Sequence, residues 1–91
     1  MKNKRINIII PHAPCKRGDM GMDVFNLQVC LDHILKYRGK NSLVTNEQGH
    51  FGPLTEKAVR DFQESHGLYI NGQFTPLTRL RIKEVLDGTY N

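Results

Sequence analysis

A chain of 91 residues is long enough for one small hydrophobic core and too short for two domains. Hydrophobic residues make up 38% of it and charged residues 24%, which is typical of a soluble globular chain, and no apolar run is long enough to cross a membrane. The net charge of +4 favours an anionic partner, and nucleic acid, anionic lipid and cell-wall polymers all qualify.

Residues 1–14 are predicted to form an arm. A basic start leads into the β-prone run at residues 6–10, and Pro11 and Pro14 prevent a helix. We expect this run to lie extended against the core, where it could pair with another short segment. It imitates a signal peptide, but its apolar part ends at Pro11, short of the roughly 7–15 residues that a signal core needs.

The first helix is predicted from Asp23 to residues 37–39, with Gly39 as the candidate C-cap. Its apolar residues follow the 3–4 spacing of one helix face: Val24, Leu27, Leu31, Ile34 and Leu35. Residues 40–50 are polar and are predicted to form a loop, whose middle is pinned to the core by Leu43 and Val44.

Two seven-residue segments share most of their sequence, with GHFGPLT at residues 49–55 and GQFTPLT at residues 72–78. In each segment a Gly allows a tight turn, a Phe can enter the core, and a Pro stands at the first helical position, where its missing N–H has no intrahelical partner. We therefore predict a second helix from Pro53 to residues 66–67 and a third from Pro76 to residues 87–88, with Phe51 and Phe74 in the core.

The side chains that these two helices turn inward follow from their spacing: Ala58, Val59 and Phe62 in the second, and Leu77, Leu80, Ile82, Val85 and Leu86 in the third. Between the helices, residues 68–70 alternate like a short strand, and Asn71 with Gly72 is a strong turn signal.

A second internal match places a Gln after an apolar anchor in both of the first two helices. The pattern Val-x-x-(Leu or Phe)-Gln occurs at residues 24–28 and again at 59–63. Such a Gln lies at the edge of the buried face, where it either ties the backbone of a loop to the helix or is simply solvated. The matched positions of Gln28 and Gln63 favour the first interpretation.

The sequence contains no catalytic or metal-binding pattern. Cys30 falls in an apolar helical pattern and is expected to be a buried free thiol, with a Cys15–Cys30 disulfide as the alternative. The four histidines are scattered and expected at the surface: His12, His33, His50 and His66. These features predict a binding module with no catalytic residue, no metal and no cofactor.

Taken in order, these residues resemble the type-1 peptidoglycan-binding domain family, the small three-helix cell-wall modules of bacterial and phage lytic enzymes. The resemblance covers about residues 15–86 and is carried by three blocks: Gly18, Gly21, Val24, Leu27, Gln28 and Leu31; Gly49, Phe51, Gly52, Pro53, Thr55, Ala58, Val59, Phe62 and Gln63; and Gly67, Leu68, Ile70, Asn71, Gly72 and Thr78. The sequence departs from the family pattern at Gln48 and Asn71, where the family has Asp, and at Thr75, where it has Gly.

The resemblance implies an all-α fold: a three-helix bundle with an internal repeat, a short extended N-terminal arm at residues 1–14, glycine turns, and a domain at residues 15–88. It also implies a shallow groove between the helices and the glycine turns. In that groove we expect sugar faces to stack on Tyr37 or Tyr69. We expect amide side chains to form hydrogen bonds with the peptide and acetamido groups of the ligand. The full set of expected ligand contacts is Tyr37, Asn46, Gln48, Lys57, Arg60, Tyr69 and Asn71, in which Lys57 or Arg60 would meet stem-peptide carboxylates.

The leading hypothesis is therefore a monomeric, non-catalytic module that binds peptidoglycan and targets a linked or associated lytic enzyme to the cell wall. Without a signal peptide of its own, it would be made in the cytoplasm and released by another route, or be an excised domain. A nucleic-acid-binding helix-turn-helix is the main alternative, because Arg79, Arg81 and Lys83 lie on the third helix and the arm is basic. A protein–protein docking module is the other alternative.

Overall fold

The computed structural model describes residues 8–88 and folds them into an all-α domain. Within that range the helices are α1 (Met22–Leu35), a 3₁₀-helix (Gly39–Asn41), α2 (Leu43–Glu47), α3 (Pro53–Ser65) and α4 (Pro76–Asp87). The helices α1, α3 and α4 are the three that the sequence predicts, and α2 is additional. No helix in the described part of the chain is long and apolar enough to span a membrane.

The first helix ends earlier than predicted. Its C-cap is Lys36, which adopts the left-handed conformation with φ 61°, and Gly39 begins the 3₁₀-helix instead. The N–H groups of Lys36 and Tyr37 both donate to the carbonyl oxygen of Asp32. These two bonds satisfy a terminal carbonyl of α1 and hold a non-glycine residue in a conformation that it rarely adopts.

The helix α2 lies in the segment 40–50 that was predicted to be a loop. The carboxylate of Asp32 in α1 accepts hydrogen bonds from the Ser42 hydroxyl at 2.6 Å and from the N–H groups of Leu43 at 2.7 Å and Val44 at 3.3 Å. The two N–H groups are donors that a helix N-terminus leaves without an intrahelical partner. A helix of five residues is unstable alone, so this tertiary contact explains why its own sequence does not predict it.

The helices α3 and α4 begin where the repeated segments predict, with Pro53 and Pro76 in their first turns. The N-cap of α4 is Thr75, whose hydroxyl accepts a hydrogen bond from the N–H of Thr78 at 3.3 Å. The helix α4 is followed by Gly88 in the left-handed conformation, with φ 78°. The helix starts and this C-terminus are therefore confirmed.

The core contains both phenylalanines of the repeated segments, since Phe51 is 2% exposed and Phe74 is 1% exposed. The other buried apolar residues are Cys15, which precedes α1, and residues of the four α-helices: Val24, Leu27, Cys30, Leu31, Leu43, Ala58, Val59, Phe62 and Ile82. The core is thus a single cluster, as the chain length requires.

The buried face of α4 differs from the prediction. Leu77 and Leu80, expected to face inward, are 55% and 50% exposed, whereas Ile82 is fully buried. The polar residue Thr78 is buried because its hydroxyl accepts a hydrogen bond from Gln63. Since residues four apart share a helix face, Thr78 and Ile82 face the core together, and Leu77 and Leu80 lie outside it.

Gln28 ties the first glycine turn to α1, as the interpretation of the sequence expects. Its side-chain nitrogen donates to the carbonyls of Glu47 at 2.8 Å and His50 at 2.9 Å and to the Thr55 hydroxyl at 3.0 Å. Its side-chain oxygen accepts from the N–H of Gly49 at 2.8 Å. Four polar groups of the turn and of α3 are therefore satisfied by one buried amide.

Gln63 does the same for the second glycine turn. Its nitrogen donates to the Asn71 side-chain oxygen at 3.0 Å, the Gln73 carbonyl at 3.0 Å and the Thr78 hydroxyl at 3.1 Å. Its oxygen accepts from the N–H groups of Asn71 at 3.0 Å and Gly72 at 2.9 Å. The role predicted for the two glutamines is confirmed.

The strand predicted at residues 68–70 is absent. Leu68 packs against the core and donates its N–H to the Gln63 carbonyl at 2.9 Å, whereas Tyr69 and Ile70 are exposed. A strand needs a paired neighbour, and residues 68–70 take part in no β-type pair within residues 8–88. In the described chain β-type pairing is limited to two isolated bridges, Cys15 with Phe74 and Met20 with His50.

The described part of the arm packs on the core, as predicted, through Ile8 and Ile10. Pro11 is buried, and its carbonyl accepts a hydrogen bond from the Arg79 side chain of α4 at 3.0 Å. Residues 8–10 form no strand, so the suggested pairing with another segment is not seen there. Residues 1–7, which carry most of the basic arm, lie outside the described residues.

Candidate functional site

An open hollow lies where α1 ends and α3 begins, with the 3₁₀-helix and α2 between them. We call it the Tyr37 hollow; it has a volume of about 360 Å³ and is lined by Tyr37, Lys40, Asn41, Leu43, Asn46 and Leu54. Two of the seven expected ligand contacts, Tyr37 and Asn46, therefore meet in one place. None of the described arm residues 8–14 lines this hollow.

Two carboxylates fix the walls of the Tyr37 hollow. Asp32 holds the start of α2, as described above. Glu47, the last residue of α2, accepts hydrogen bonds from the N–H of Leu54 at 2.9 Å, from the N–H and hydroxyl of Thr55 at 2.8 Å each, and from the N–H of Gly52 at 3.2 Å. Because Leu54 lines the hollow, Glu47 fixes the position of that wall relative to α2.

The pKa of Glu47 reflects two opposing effects. Burial raises the pKa of Glu47. The hydrogen bonds donated by Leu54, Thr55 and Gly52 together lower it by more, so that the pKa lies below its ordinary value. A carboxylate that accepts several hydrogen bonds is stabilised in its ionised form, and the positive end of the α3 dipole acts in the same direction. Glu47 is therefore an ionised N-terminal anchor of α3.

The Asn46 side chain is oriented by its neighbours. Its nitrogen donates to the carbonyl of Lys40 at 2.7 Å and to that of Ser42 at 2.9 Å. Because a carbonyl can only accept, the nitrogen must face both of them, and the side-chain oxygen faces away. Within residues 8–88 that oxygen accepts no hydrogen bond, so Asn46 offers the hollow an acceptor.

The apolar part of the hollow is formed by Tyr37, Leu43 and Leu54. Tyr37 is half-buried, Leu43 is only 3% exposed, and Leu54 is 47% exposed at the start of α3. A half-exposed leucine beside an aromatic ring presents apolar surface that a ligand can cover with little loss of conformational entropy. Polar rim and apolar wall together are the usual composition of a small-ligand site.

Lys57, another expected contact, lies one helical turn after Leu54 and carries an ion pair with Asp61 at 2.9 Å. The hydrogen bond and the charge of Asp61 raise the pKa of Lys57, and Tyr37 contributes in the same direction. Lys57 is not among the residues that line the Tyr37 hollow. Its charge is already matched by Asp61.

The remaining expected contacts lie elsewhere. Gln48 lines a second hollow of about 500 Å³, whose other residues are Met20, Gly21, Met22, Phe25, Gly49 and His50. Arg60 packs beside Gly72, where its side-chain Nε is 3.1 Å from the position a Cβ on that glycine would take. Tyr69 is 81% exposed between α3 and α4. The seven residues therefore do not form one continuous cluster.

Asn71 is held by contacts within the chain. Its side-chain oxygen accepts hydrogen bonds from the Gln63 side chain at 3.0 Å and from the N–H of Gln73 at 2.9 Å. An Asn at the start of a turn commonly binds its own backbone two residues later, and this bond stabilises the turn. The family pattern has Asp at this position, and Asn71 supplies the same acceptor.

Sequence reasoning missed four lining residues of the Tyr37 hollow: Lys40, Asn41, Leu43 and Leu54. Leu43 was expected only as a contact to the core. Lys40 and Asn41 lie in the unpredicted 3₁₀-helix, so no periodicity marked them. Leu54 stands directly after the helix-starting Pro53, and in the sequence it reads as part of the repeated corner. In the structure Thr55 is the buried residue of that turn, and Leu54 is 47% exposed.

The two cysteines are free and buried, which confirms the free thiol expected for Cys30 and removes the disulfide alternative. Burial raises the pKa of Cys15 to about 11 and that of Cys30 to about 12. Both thiols are therefore protonated near neutral pH and are weak nucleophiles. Their role is packing.

The histidines are mostly at the surface, as expected. His12, His33 and His50 are exposed, whereas His66 is half-buried and stacks on Phe62 with ring centroids 4.2 Å apart. Within residues 8–88 no group of three or more His, Cys, Asp or Glu side chains is placed to hold a metal ion.

Comparison with known proteins gives a family and a fold. A family model described as "Putative peptidoglycan binding domain" matches residues 21–82, which is more than half of the chain. Comparison with curated proteins found no match.

Two solved structures resemble the fold. The crystal structure of the SleB N-terminal domain is 31% identical, with a TM-score of 0.69, over 86% of this chain and 99% of that one. A peptidoglycan-binding protein from Clostridioides difficile, solved in complex with glutamine hydroxamate, is 26% identical, with a TM-score of 0.67, over 87% of this chain and 46% of that one. The sequence match and the shared fold agree with each other, and the chain belongs to the peptidoglycan-binding domain family.

Proposed function

We propose that this domain is a non-catalytic module that binds peptidoglycan, with the Tyr37 hollow as its main site. The observation that carries the proposal is that the family match at residues 21–82 contains every residue lining that hollow. Two of the expected contacts, Tyr37 and Asn46, also line this hollow, and a third, Lys57, lies one helical turn after the lining residue Leu54.

The proposed contacts divide by chemistry. Tyr37 and Leu54 supply apolar surface, Asn46 supplies an acceptor, and Lys40 supplies positive charge at the rim. Lys57, which is paired with Asp61, is proposed as a further contact on α3. A polymer extends beyond one hollow, so we propose Gln48, Arg60, Tyr69 and Asn71 as contacts for its neighbouring units. The positive net charge of the chain favours approach to an anionic wall polymer.

We propose that the module acts at the cell wall and holds a linked or associated lytic enzyme there. Attachment to an insoluble polymer raises the local concentration of an enzyme near its substrate, so weak affinity is sufficient. The C. difficile protein shows that the fold occurs within longer chains, since this chain covers less than half of it.

The nucleic-acid alternative is disfavoured by the contacts of the α4 cations. Arg79 donates to the Pro11 carbonyl, and Lys83 forms an ion pair with Asp87 at 2.8 Å. Arg81 pairs with Glu84 at 3.0 Å. A helix that reads DNA needs cations available to phosphates, whereas these three groups already have partners inside the domain.

The docking alternative is favoured by one observation, the exposed apolar residues on and before α4. Leu77, Leu80 and Ile70 are each about half exposed, at 55%, 50% and 45%. Such residues are compatible with contact to a neighbouring domain of the same lytic enzyme. That contact would use a different surface from the Tyr37 hollow, so the two functions are compatible.

The proposal is tested by sedimentation with purified, insoluble peptidoglycan sacculi, with cellulose as an insoluble glycan control and duplex DNA as a soluble competitor. We expect the domain to sediment with sacculi, to remain in solution with cellulose, and to be unaffected by DNA. A domain that stays in solution with sacculi at low salt would refute the proposal. Displacement by DNA with a steep salt dependence would favour the nucleic-acid alternative.

A further inference from the structure

We infer that the Tyr37 hollow receives an N-acetylated sugar of the glycan strand, and that the stem peptide is bound elsewhere. This inference rests on the proposed function, because it assigns one part of the polymer to that site. It is carried by three features of the hollow: the orientation of Asn46, the balance of charge at the rim, and the shape of the apolar wall.

The orientation of Asn46 selects a ligand that donates. Its nitrogen is occupied by the carbonyls of Lys40 and Ser42, at 2.7 Å and 2.9 Å, so only its oxygen can bind a ligand. A carboxylate has no hydrogen to donate and would face that oxygen unfavourably. The N–H of an acetamido group, the hydroxyls of a sugar and the N–H groups of a peptide are all suitable donors. This feature therefore excludes a carboxylate, and the other two features favour the sugar over the peptide.

The charge at the rim is weak for a carboxylate site. No arginine of the described residues lines the hollow, and arginine is the side chain that binds a carboxylate in the two-point geometry that proteins favour. The charge of Lys57 is matched by Asp61 at 2.9 Å. Among residues 8–88, Lys40 is therefore the one cation that lines the hollow, and its side chain is exposed.

The shape of the hollow suits a sugar ring. Tyr37 and Leu54 form an apolar wall, and Asn41 and Asn46 form a polar rim. A pyranose has the complementary arrangement, with an apolar C–H face and a rim of hydroxyls. The volume of about 360 Å³ is near the small end of the range for small-ligand sites, so it suits one sugar unit with its neighbours extending into solvent.

The first experiment follows backbone NMR signals of the domain during titration with three soluble probes: a tetramer of N-acetylglucosamine, a tetramer of glucose, and a free stem peptide. We expect the acetylated tetramer to shift the signals of Tyr37, Asn46 and Leu54. The glucose tetramer should bind about tenfold more weakly, because it lacks the amide N–H that Asn46 would accept. The stem peptide should leave these signals in place.

Two pairs of variants sharpen the test. Leu54→Ala should weaken binding of the acetylated tetramer about tenfold, whereas Leu80→Ala should leave it unchanged, because Leu80 has nearly the same exposure but lies on α4. Lys40→Gln should change binding of the acetylated tetramer by less than about twofold, since a neutral sugar gains little from the charge. The folded state of each variant is checked from the same spectra.

Several results would overturn the inference. Equal binding of the two tetramers would remove the role of the acetyl group, and shifts in the hollow caused by the stem peptide and lost in Lys40→Gln would assign the site to a carboxylate. If sacculi are bound but no sugar probe shifts the hollow, the inference fails while the proposed function stands. If sacculi are not bound, the proposed function itself fails.

Discussion

The carboxylate of Glu47 accepts two hydrogen bonds from Thr55, one from its N–H and one from its hydroxyl, each 2.8 Å long. Glu47 ends α2 and Thr55 lies in the first turn of α3, so this contact joins the two helices across the repeated corner. Thr55 is fully buried and also receives a hydrogen bond from Gln28 of α1 at 3.0 Å. Three helices are therefore joined at one side chain beside the Tyr37 hollow.

Replacing Glu47 by Gln should lower the free energy of unfolding by roughly 1–3 kcal/mol near neutral pH, because a charged acceptor of several hydrogen bonds is lost. The pKa of Glu47 is lower in the folded state than in the unfolded state. Its contribution is therefore fully present above the unfolded pKa of about 4.3 and is lost as the pH falls through the folded pKa. The stability gap between the wild type and Glu47→Gln should consequently shrink in acid.

The measurement is urea unfolding of both proteins over a series of pH values. Glu64→Gln is the matched control, since Glu64 is exposed on α3 and its side chain makes no hydrogen bond within residues 8–88. Its stability should stay within about 0.5 kcal/mol of the wild type near neutral pH. A gap for Glu47→Gln that persists unchanged or widens in acid would contradict the role assigned to the carboxylate.

Replacing Gln28 by Leu should destabilise the domain by about 2–4 kcal/mol, because the N–H of Gly49 loses its partner and the carbonyls of Glu47 and His50 each lose one of two hydrogen bonds. Thermal unfolding measures the effect. Gln73→Leu is the control, since the Gln73 side chain is exposed, and its effect should be within about 0.5 kcal/mol. Equal stability of the two variants would show that the first turn does not need its buried amide.

Replacing Gly72 by Ala should be more harmful than replacing Gly67 by Ala, although both glycines have left-handed φ values, +74° and +68°. Each variant incurs a backbone cost of about 1–2 kcal/mol. A Cβ at Gly72 would in addition lie 2.9 Å from Glu56 Cγ and 3.1 Å from Arg60 Nε, whereas the space at Gly67 is open. Chemical denaturation of the two variants tests this order, and a reversed order would contradict the packing described here.

The thiols of Cys15 and Cys30 should react slowly with a thiol reagent in the folded protein at mildly alkaline pH. Their pKa values of about 11 and about 12 leave little thiolate, and both side chains are nearly or fully buried. In denaturant both should react at the rate of an ordinary cysteine. Rapid labelling of either thiol in the folded state would show that its burial is not maintained in solution.

The three long helices could be predicted from the sequence because their signals are local. The starts at Pro53 and Pro76 follow from proline chemistry at a helix N-terminus, and the burial of Phe51 and Phe74 follows from the repeated corners. The roles of Gln28 and Gln63 could also be predicted, because the same sequence pattern in two helices indicates the same structural role. Local pattern and tertiary structure agree at these sites.

The rest depends on contacts between distant residues. The helix α2 forms because Asp32 binds Ser42 and Leu43 from ten and eleven positions away, which no local pattern reveals. The helix α1 ends at Leu35 with Lys36 as its C-cap, and not at the predicted Gly39. The Tyr37 hollow is built from these unpredicted elements, so only part of its lining could be named in advance.

The central claim is tested most directly by binding isotherms on purified peptidoglycan sacculi for the wild type, Leu54→Ala and Leu80→Ala. Binding through the Tyr37 hollow predicts that the wild type and Leu80→Ala bind equally and that Leu54→Ala binds about tenfold more weakly. Absence of wild-type binding, or three isotherms that coincide, would contradict it.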